Sequence, residues 1–239
     1  MISPLYPHLA PMTFSWGFLK TGLPQASEAF RSWLKSYSSH FETIYLDGSL
    51  DKTLEQMQPL TLPASKRLLI STQSNWIACF ENGVKGADLL SFMSILTTHL
   101  NCEGLVIRCA TDKRMYSPHD KNEHFTNLGF DVFAPGAGDS VGPIRSVSLT
   151  QYYGKWKFKQ GGNLLRGEIA EQYKMNPVQR RVTLESIDTF CHSLGLSPFA
   201  PSFYLNRSCL ISMQEATDFP ISRSLIEAQA TFFNASELR

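Results

Sequence analysis

Several groups of residues have types and spacings that could do chemistry. The string Pro135-Gly136-Ala137-Gly138-Asp139-Ser140 sets an aspartate in a glycine-rich turn. Backbone amides in such a turn can cradle phosphate, and the carboxylate can act as a base. For that chemistry the turn should open a helix, whose first amides hold the developing anion. Gly142-Pro143 and a β-like run follow instead, so a surface loop is expected. His119, Asp120, Glu123 and His124 lie close together, and imidazole with carboxylate at that spacing could share a metal. An ordered metal site also needs partners that orient its ligands, and no rigid element frames this stretch. A solvated cluster is expected, with no metal and no cofactor. Cys191 and His192 are neighbours on a helix and point different ways. Lys155, Lys157 and Lys159 alternate with Trp156 and Phe158, with Arg180-Arg181 further on. They could face phosphates, but a useful nucleic-acid site clusters several such contacts, and a half-buried strand accounts for the alternation. The sequence contains no Gly-x-Ser-x-Gly elbow, no His-Glu-x-x-His and no Walker loop. No catalytic residue is assigned.

The bulk composition narrows the classes further. Of 239 residues, 43% are apolar and 18% charged, enough for a full-sized core and too apolar for wholesale disorder. A formal charge of +1 gives no long-range field to draw in phosphate backbones, so nucleic acid is not the expected partner. The five cysteines (79, 102, 109, 191 and 209) include no Cys-x-x-Cys pair, as expected for free thiols in a reducing compartment. Residues 1–19 carry no Lys, Arg, Asp or Glu, but Pro4, Pro7 and Pro11 interrupt them, unlike a secretory signal. The other uncharged run, Thr189–Asn206, holds Pro198 and Pro201 and is too broken to span a bilayer. A cytoplasmic protein, off the membrane, is expected.

These groups must be positioned by elements that the patterning suggests. Residues 1–24 read as an extended arm laid over the body, because their prolines forbid a helix interior. Ser27 is placed to cap a helix with Phe30, Trp33, Leu34, Tyr37 and Phe41 on one face. Residues 43–46 suggest a strand and 51–58 a short helix. Arg67–Thr72 and Asn75–Glu81 suggest a hairpin, whose second strand is apolar on both faces and therefore central. Asp88 is placed to cap a helix carrying Leu89, Phe92, Met93, Leu96 and Leu100, and Leu105–Cys109 forms a buried strand. Residues 111–127 read as loop, Phe130–Phe133 as strand, and 145–159 as a second hairpin turning at Gly154. Leu165–Lys174, Leu184–Leu194 (capped by Thr183) and Ser222–Phe233 read as helices, and Ser208–Met213 as a strand. The expected fold class is α+β: a mostly antiparallel central sheet with hairpins, flanked by helices, in a single domain over 1–239. Its C-terminal third, from 164 to 239, is expected to be mainly helical and packed on the sheet.

The segment Asn75-Trp-Ile-Ala-Cys-Phe-Glu-Asn-Gly-Val-Lys-Gly-Ala-Asp88 and the later Asn101-Cys-Glu-Gly-Leu-Val106 resemble a poorly characterised family of bacterial cytoplasmic proteins. Leu194-Gly195-Leu196 and the stretch from Pro198-Phe199 to Phe203-Tyr204 fit the same pattern. The resemblance implies a non-enzymatic immunity protein that occludes a cognate antibacterial toxin, and it supplies no catalytic residues. The same residues also read structurally, as core aromatics, turn glycines and a helix cap. Glu81, Asn82 and Lys85, with His119, Asp120 and Glu123, are the expected exposed contacts for that protein partner. The rival reading is a small-metabolite enzyme with a site built from loops 82–88, 111–124 and 134–143.

Overall fold

A computed structural model describes residues 5–36, 40–115, 123–135, 142–152, 154–213 and 221–230, with backbone alone at 112–115, 123–125 and 152. In chain order the elements begin with β1 (Ser15–Leu19), α1 (Leu23–Lys35), β2 (Phe41–Asp47), α2 (Leu50–Glu55) and β3 (Leu60–Leu62). They continue with β4 (Lys66–Thr72), β5 (Ile77–Glu81), α3 (Leu90–Leu100), β6 (Gly104–Met115) and β7 (Glu123–Phe133). The series closes with β8 (Arg145–Tyr152), β9 (Lys155–Gly161), α4 (Leu184–Ser193), β10 (Tyr204–Met213), β11 (Ile221–Arg223) and α5 (Leu225–Gln229). Nine strands form one sheet in the order β2-β10-β4-β5-β1-β6-β7-β8-β9, while β3 and β11 make a separate pair. Every pairing in the large sheet is antiparallel.

The middle of the sheet is buried on both faces. All five residues of β5 and all five of β1 are buried, because helices lie on either side. On one face α1 and α3 pack together, with Phe30 edge-on to Phe92 at 4.9 Å between ring centroids. Glycine lets α3 approach: a Cβ on Gly17 would stand 2.8 Å from Met93 Sδ, and one on Gly104 would stand 2.5 Å from Thr97 Cγ2. The opposite face, by strand alternation, carries Trp16 and its cross-strand partners Ile107 and Phe130. There Phe130 stacks on Phe190 of α4 at 4.2 Å, and Trp16 stacks on Phe80 at 5.9 Å. Thr183 caps α4 as expected, in a reciprocal capping box with Ser186, an arrangement worth about 1 kcal/mol.

Several expectations are corrected. The C-terminal third is not mainly helical, and the architecture is a large antiparallel sheet with few helices. Residues 165–174 form a turn and a one-turn 3₁₀ segment, Ala170–Lys174, rather than an α-helix. The last helix spans only Leu225–Gln229, while β10 runs ten residues through the sheet. The segment read as an outlying arm supplies β1, which lies between β5 and β6. Pro4, Pro7 and Pro11 precede the strand in sequence, so they cost no ladder bond. α1 begins at Leu23 behind Gly22, not at Ser27, and Pro24 occupies its first turn, where a missing N–H is harmless. Asp88 does not cap α3: the residue before the helix is Leu89, without a side-chain cap, and the Asp88 amide donates to Glu81 Oε2 instead. The stretch expected as loop at 111–127 contains the ends of a long β6–β7 hairpin.

Candidate functional site

Of the expected contact residues, two lie in the core. Glu81 and Asn82 are 2% and 0% exposed, so they are core groups rather than surface contacts. Asn82 Oδ1 accepts from the Ser65 and Lys66 amides, and Nδ2 donates to Pro59 O; the side chain pins β5 to the loop before β4. Lys85 is exposed on the turn that follows. His119 and Asp120 lie outside the described residues, and Glu123 is placed by its backbone alone, opposite Met115. The glycine-rich string also falls mostly outside them, at 136–140. Among the described residues no three or more His, Cys, Asp or Glu side chains group as metal ligands. The three-loop site has a topological obstacle. Ile77, Leu19, Gly104 and Phe133 align across neighbouring strands. The chain therefore leaves β7 after Phe133 at one end of the sheet and leaves β5 after Glu81 at the other.

Glu81 instead forms a buried ion pair. Its Oε1 lies 2.7 Å from Arg67 Nη2, although the approach is not an aligned hydrogen bond. Arg67 is also sandwiched against Phe30 and Phe92 at 5.8 and 5.4 Å. Burial pushes the Glu81 carboxyl above the ordinary glutamate range, and the Arg67 charge only partly offsets it. The native state thus keeps a proton that the unfolded chain has already lost. This contribution to stability is full below the ordinary value and declines as pH rises through the folded one. Urea titrations of the wild type and Glu81→Gln from about pH 4 to about pH 7 should show the variant gaining relative stability with rising pH. A difference that stays flat, or runs the other way, contradicts the assignment.

The cysteines offer no ready nucleophile. Cys79, Cys109 and Cys191 are fully buried, and burial pushes each thiol up. Burial also raises Cys102 and Cys209 to about 11, so at neutral pH these thiols are protonated.

The structure does gather polar groups at one place the sequence reading passed over. Where β1 ends and α1 begins, a cleft of about 450 Å³ opens beside the β4–β5 turn. Its rim is Lys20, Thr21, Ser74 and Asn75, and Trp76 and Ile77 contribute the buried part of the wall. The turn is held by its own hydroxyls: Thr72 Oγ1 accepts from the Ser74 amide at 3.2 Å, and Ser74 Oγ accepts from the Trp76 amide at 3.3 Å. Lys20 Nζ is fixed by Glu103 at 2.8 Å and sits 5.8 Å from the Trp76 ring centre, within cation–π range. Trp76 is 3% exposed, yet its Nε1 finds no hydrogen-bond partner among the described residues. Buried donors are rarely left so. A second cavity of about 290 Å³ adjoins the first through Leu23 and Ser71, and continues to Tyr45, Asp47 and Arg207. The sequence did carry one signal for this site. Ser71-Thr72-Gln73-Ser74-Asn75 is a longer polar run than a tight hairpin requires.

No family model matches the chain, and comparison with curated proteins and with solved structures found no match. Among the described residues, no helix is long and apolar enough to cross a membrane.

Proposed function

We propose that the protein works by binding another protein, as an immunity partner that occludes an antibacterial toxin domain. The cleft at the head of α1 is the docking point in this reading. One observation carries it: a polar rim of exposed Lys20 and Asn75 with half-buried Thr21 surrounds the buried, donor-bearing indole of Trp76. Energetically dominant contacts in protein interfaces cluster around Trp, Tyr and Arg within a rim that excludes water. Asn75 and Trp76 also open the segment that carries the family resemblance. The lining offers hydroxyls, amides and cations, with Asp47 as its carboxylate, a set suited to recognition.

The test is co-production with any secreted-toxin domain found encoded beside this gene. Growth should be rescued, and the two purified proteins should bind. Thr21→Arg and Asn75→Arg alter the rim without touching the core. Each should weaken binding at least about tenfold, equivalent to about 1.4 kcal/mol, with circular dichroism unchanged. Absence of both rescue and binding removes the immunity reading, and full-strength binding by both variants removes the cleft from it.

A further inference from the structure

The two edges of the nine-stranded sheet are built differently. At one edge β9 presents Lys155, Lys157 and Lys159, all exposed, a common device against strand-to-strand association. At the other edge β2 reads Phe41-Glu42-Thr43-Ile44-Tyr45-Leu46-Asp47, with no lysine, arginine or proline. Its Ile44 and Tyr45 are 40% and 63% exposed. A seven-residue edge of this kind is a template for another strand.

The ladder shows which backbone groups are on offer. The Gly48 amide donates to Asn206 O, and the Met213 amide donates to Ser65 O on the opposite side of β10. Both bonds fix the same alternation. Glu42, Ile44 and Leu46 exchange their bonds with β10, so Phe41, Thr43, Tyr45 and Asp47 turn their N–H and C=O groups to the open edge.

We infer that β2 pairs with β2 of a second copy of this chain, antiparallel about a two-fold axis at Ile44, joining two sheets into one. The outward groups select the register. They match when Thr43 faces Tyr45 of the second copy and Phe41 faces Asp47, which leaves Ile44 opposite Ile44. This register uses the whole strand with no overhang. It also sets Glu42 against Leu46 and Asp47 against Phe41, so no like charges meet across the seam, where they would be destabilising. Both exposed apolar side chains lie at its centre. The inference rests on strand geometry alone and is independent of the cleft proposal. The axis does place the second copy's Phe41 beside Asp47, at the rim of the smaller cavity.

Sedimentation velocity of the full chain at tens of micromolar should show a dimer. Ile44→Lys puts two ammonium groups face to face on the axis, and the dimer should weaken at least about tenfold. Ile44→Cys reports the register directly. In the pairing type at the axis the Cα atoms stand about 4.5 Å apart, within disulfide reach. Mild oxidation should therefore link two chains covalently. Leu46→Cys, about 14 Å from its own copy at 3.4 Å per residue, should link no more than the wild type. A monomeric wild type, a dimer untouched by Ile44→Lys, or equal cross-linking at 44 and 46 overturns the proposal.

Discussion

Replacing Arg145 by Met should lower the free energy of unfolding by about 3–5 kcal/mol, the range for breaking one partner from a buried ion pair. The Arg145 and Glu168 side chains are 2% and 0% exposed. Every guanidinium donor is used. Nε bonds Glu168 Oε1 at 3.0 Å, Nη1 bonds the Gly161 and Gly162 carbonyls at 3.1 Å, and Nη2 bonds Glu168 Oε2 at 2.7 Å and Gln160 Oε1 at 3.0 Å. Burial works against the arginine's charge, but the Glu168 carboxylate prevails and holds its pKa up. Tyr173 Oη donates to the same carboxylate at 2.7 Å, and burial, then Glu168, raise its phenol. Deleting the cation leaves Glu168 charged in a dry site and frees two carbonyls. The double replacement Arg145→Met with Glu168→Leu removes both charges and should recover most of the loss. Urea midpoints with an unchanged m-value check both statements. A single variant within about 1 kcal/mol of the wild type contradicts the account.

Trp16→Ala is the second large effect, again about 3–5 kcal/mol. Trp16 is fully buried, parallel to Phe80 and edge-on to Phe199, both at 5.9 Å. Its Nε1 donates to Tyr204 Oη at 3.0 Å, and that hydroxyl donates onward to Pro198 O at 2.7 Å. The substitution opens a cavity at the centre of the sheet and strands part of this relay. Trp16→Phe keeps much of the packing and loses the bond, so it should fall between the wild type and the alanine variant. If Trp16→Phe matches Trp16→Ala, the hydrogen bond outweighs the packing, contrary to the expected order.

How much of this was legible in the residues depends on how local the cause is. β5 was readable because an apolar run on both faces means burial on both faces, and Trp76 and Phe80 are indeed buried. Thr183 and its capping box are a four-residue matter. β1 was missed because Ser15-Trp-Gly-Phe-Leu19 is short and preceded by prolines, and its burial comes from β5 and β6, far along the chain. The α-helix expected at 165–174 failed because Glu168 is taken by Arg145, Tyr173 and the Leu165 amide, a tertiary claim that overrides local propensity. The cleft was hidden for the same reason: Lys20, Ser71 and Asn75 meet only once β1, β4 and β5 are side by side.

The place of β10 has a consequence for how the chain is made. Residues 204–213 slot between β2 and β4, so until they have left the ribosome β4 waits with one side unpaired and β2 with both. Hairpins such as β4–β5 and β6–β7 can close as they emerge, but β2 has no sheet to join before then. A nascent chain halted short of residue 204 would expose the open sides of β2 and β4 at once, the situation in which chaperone capture competes with misassembly.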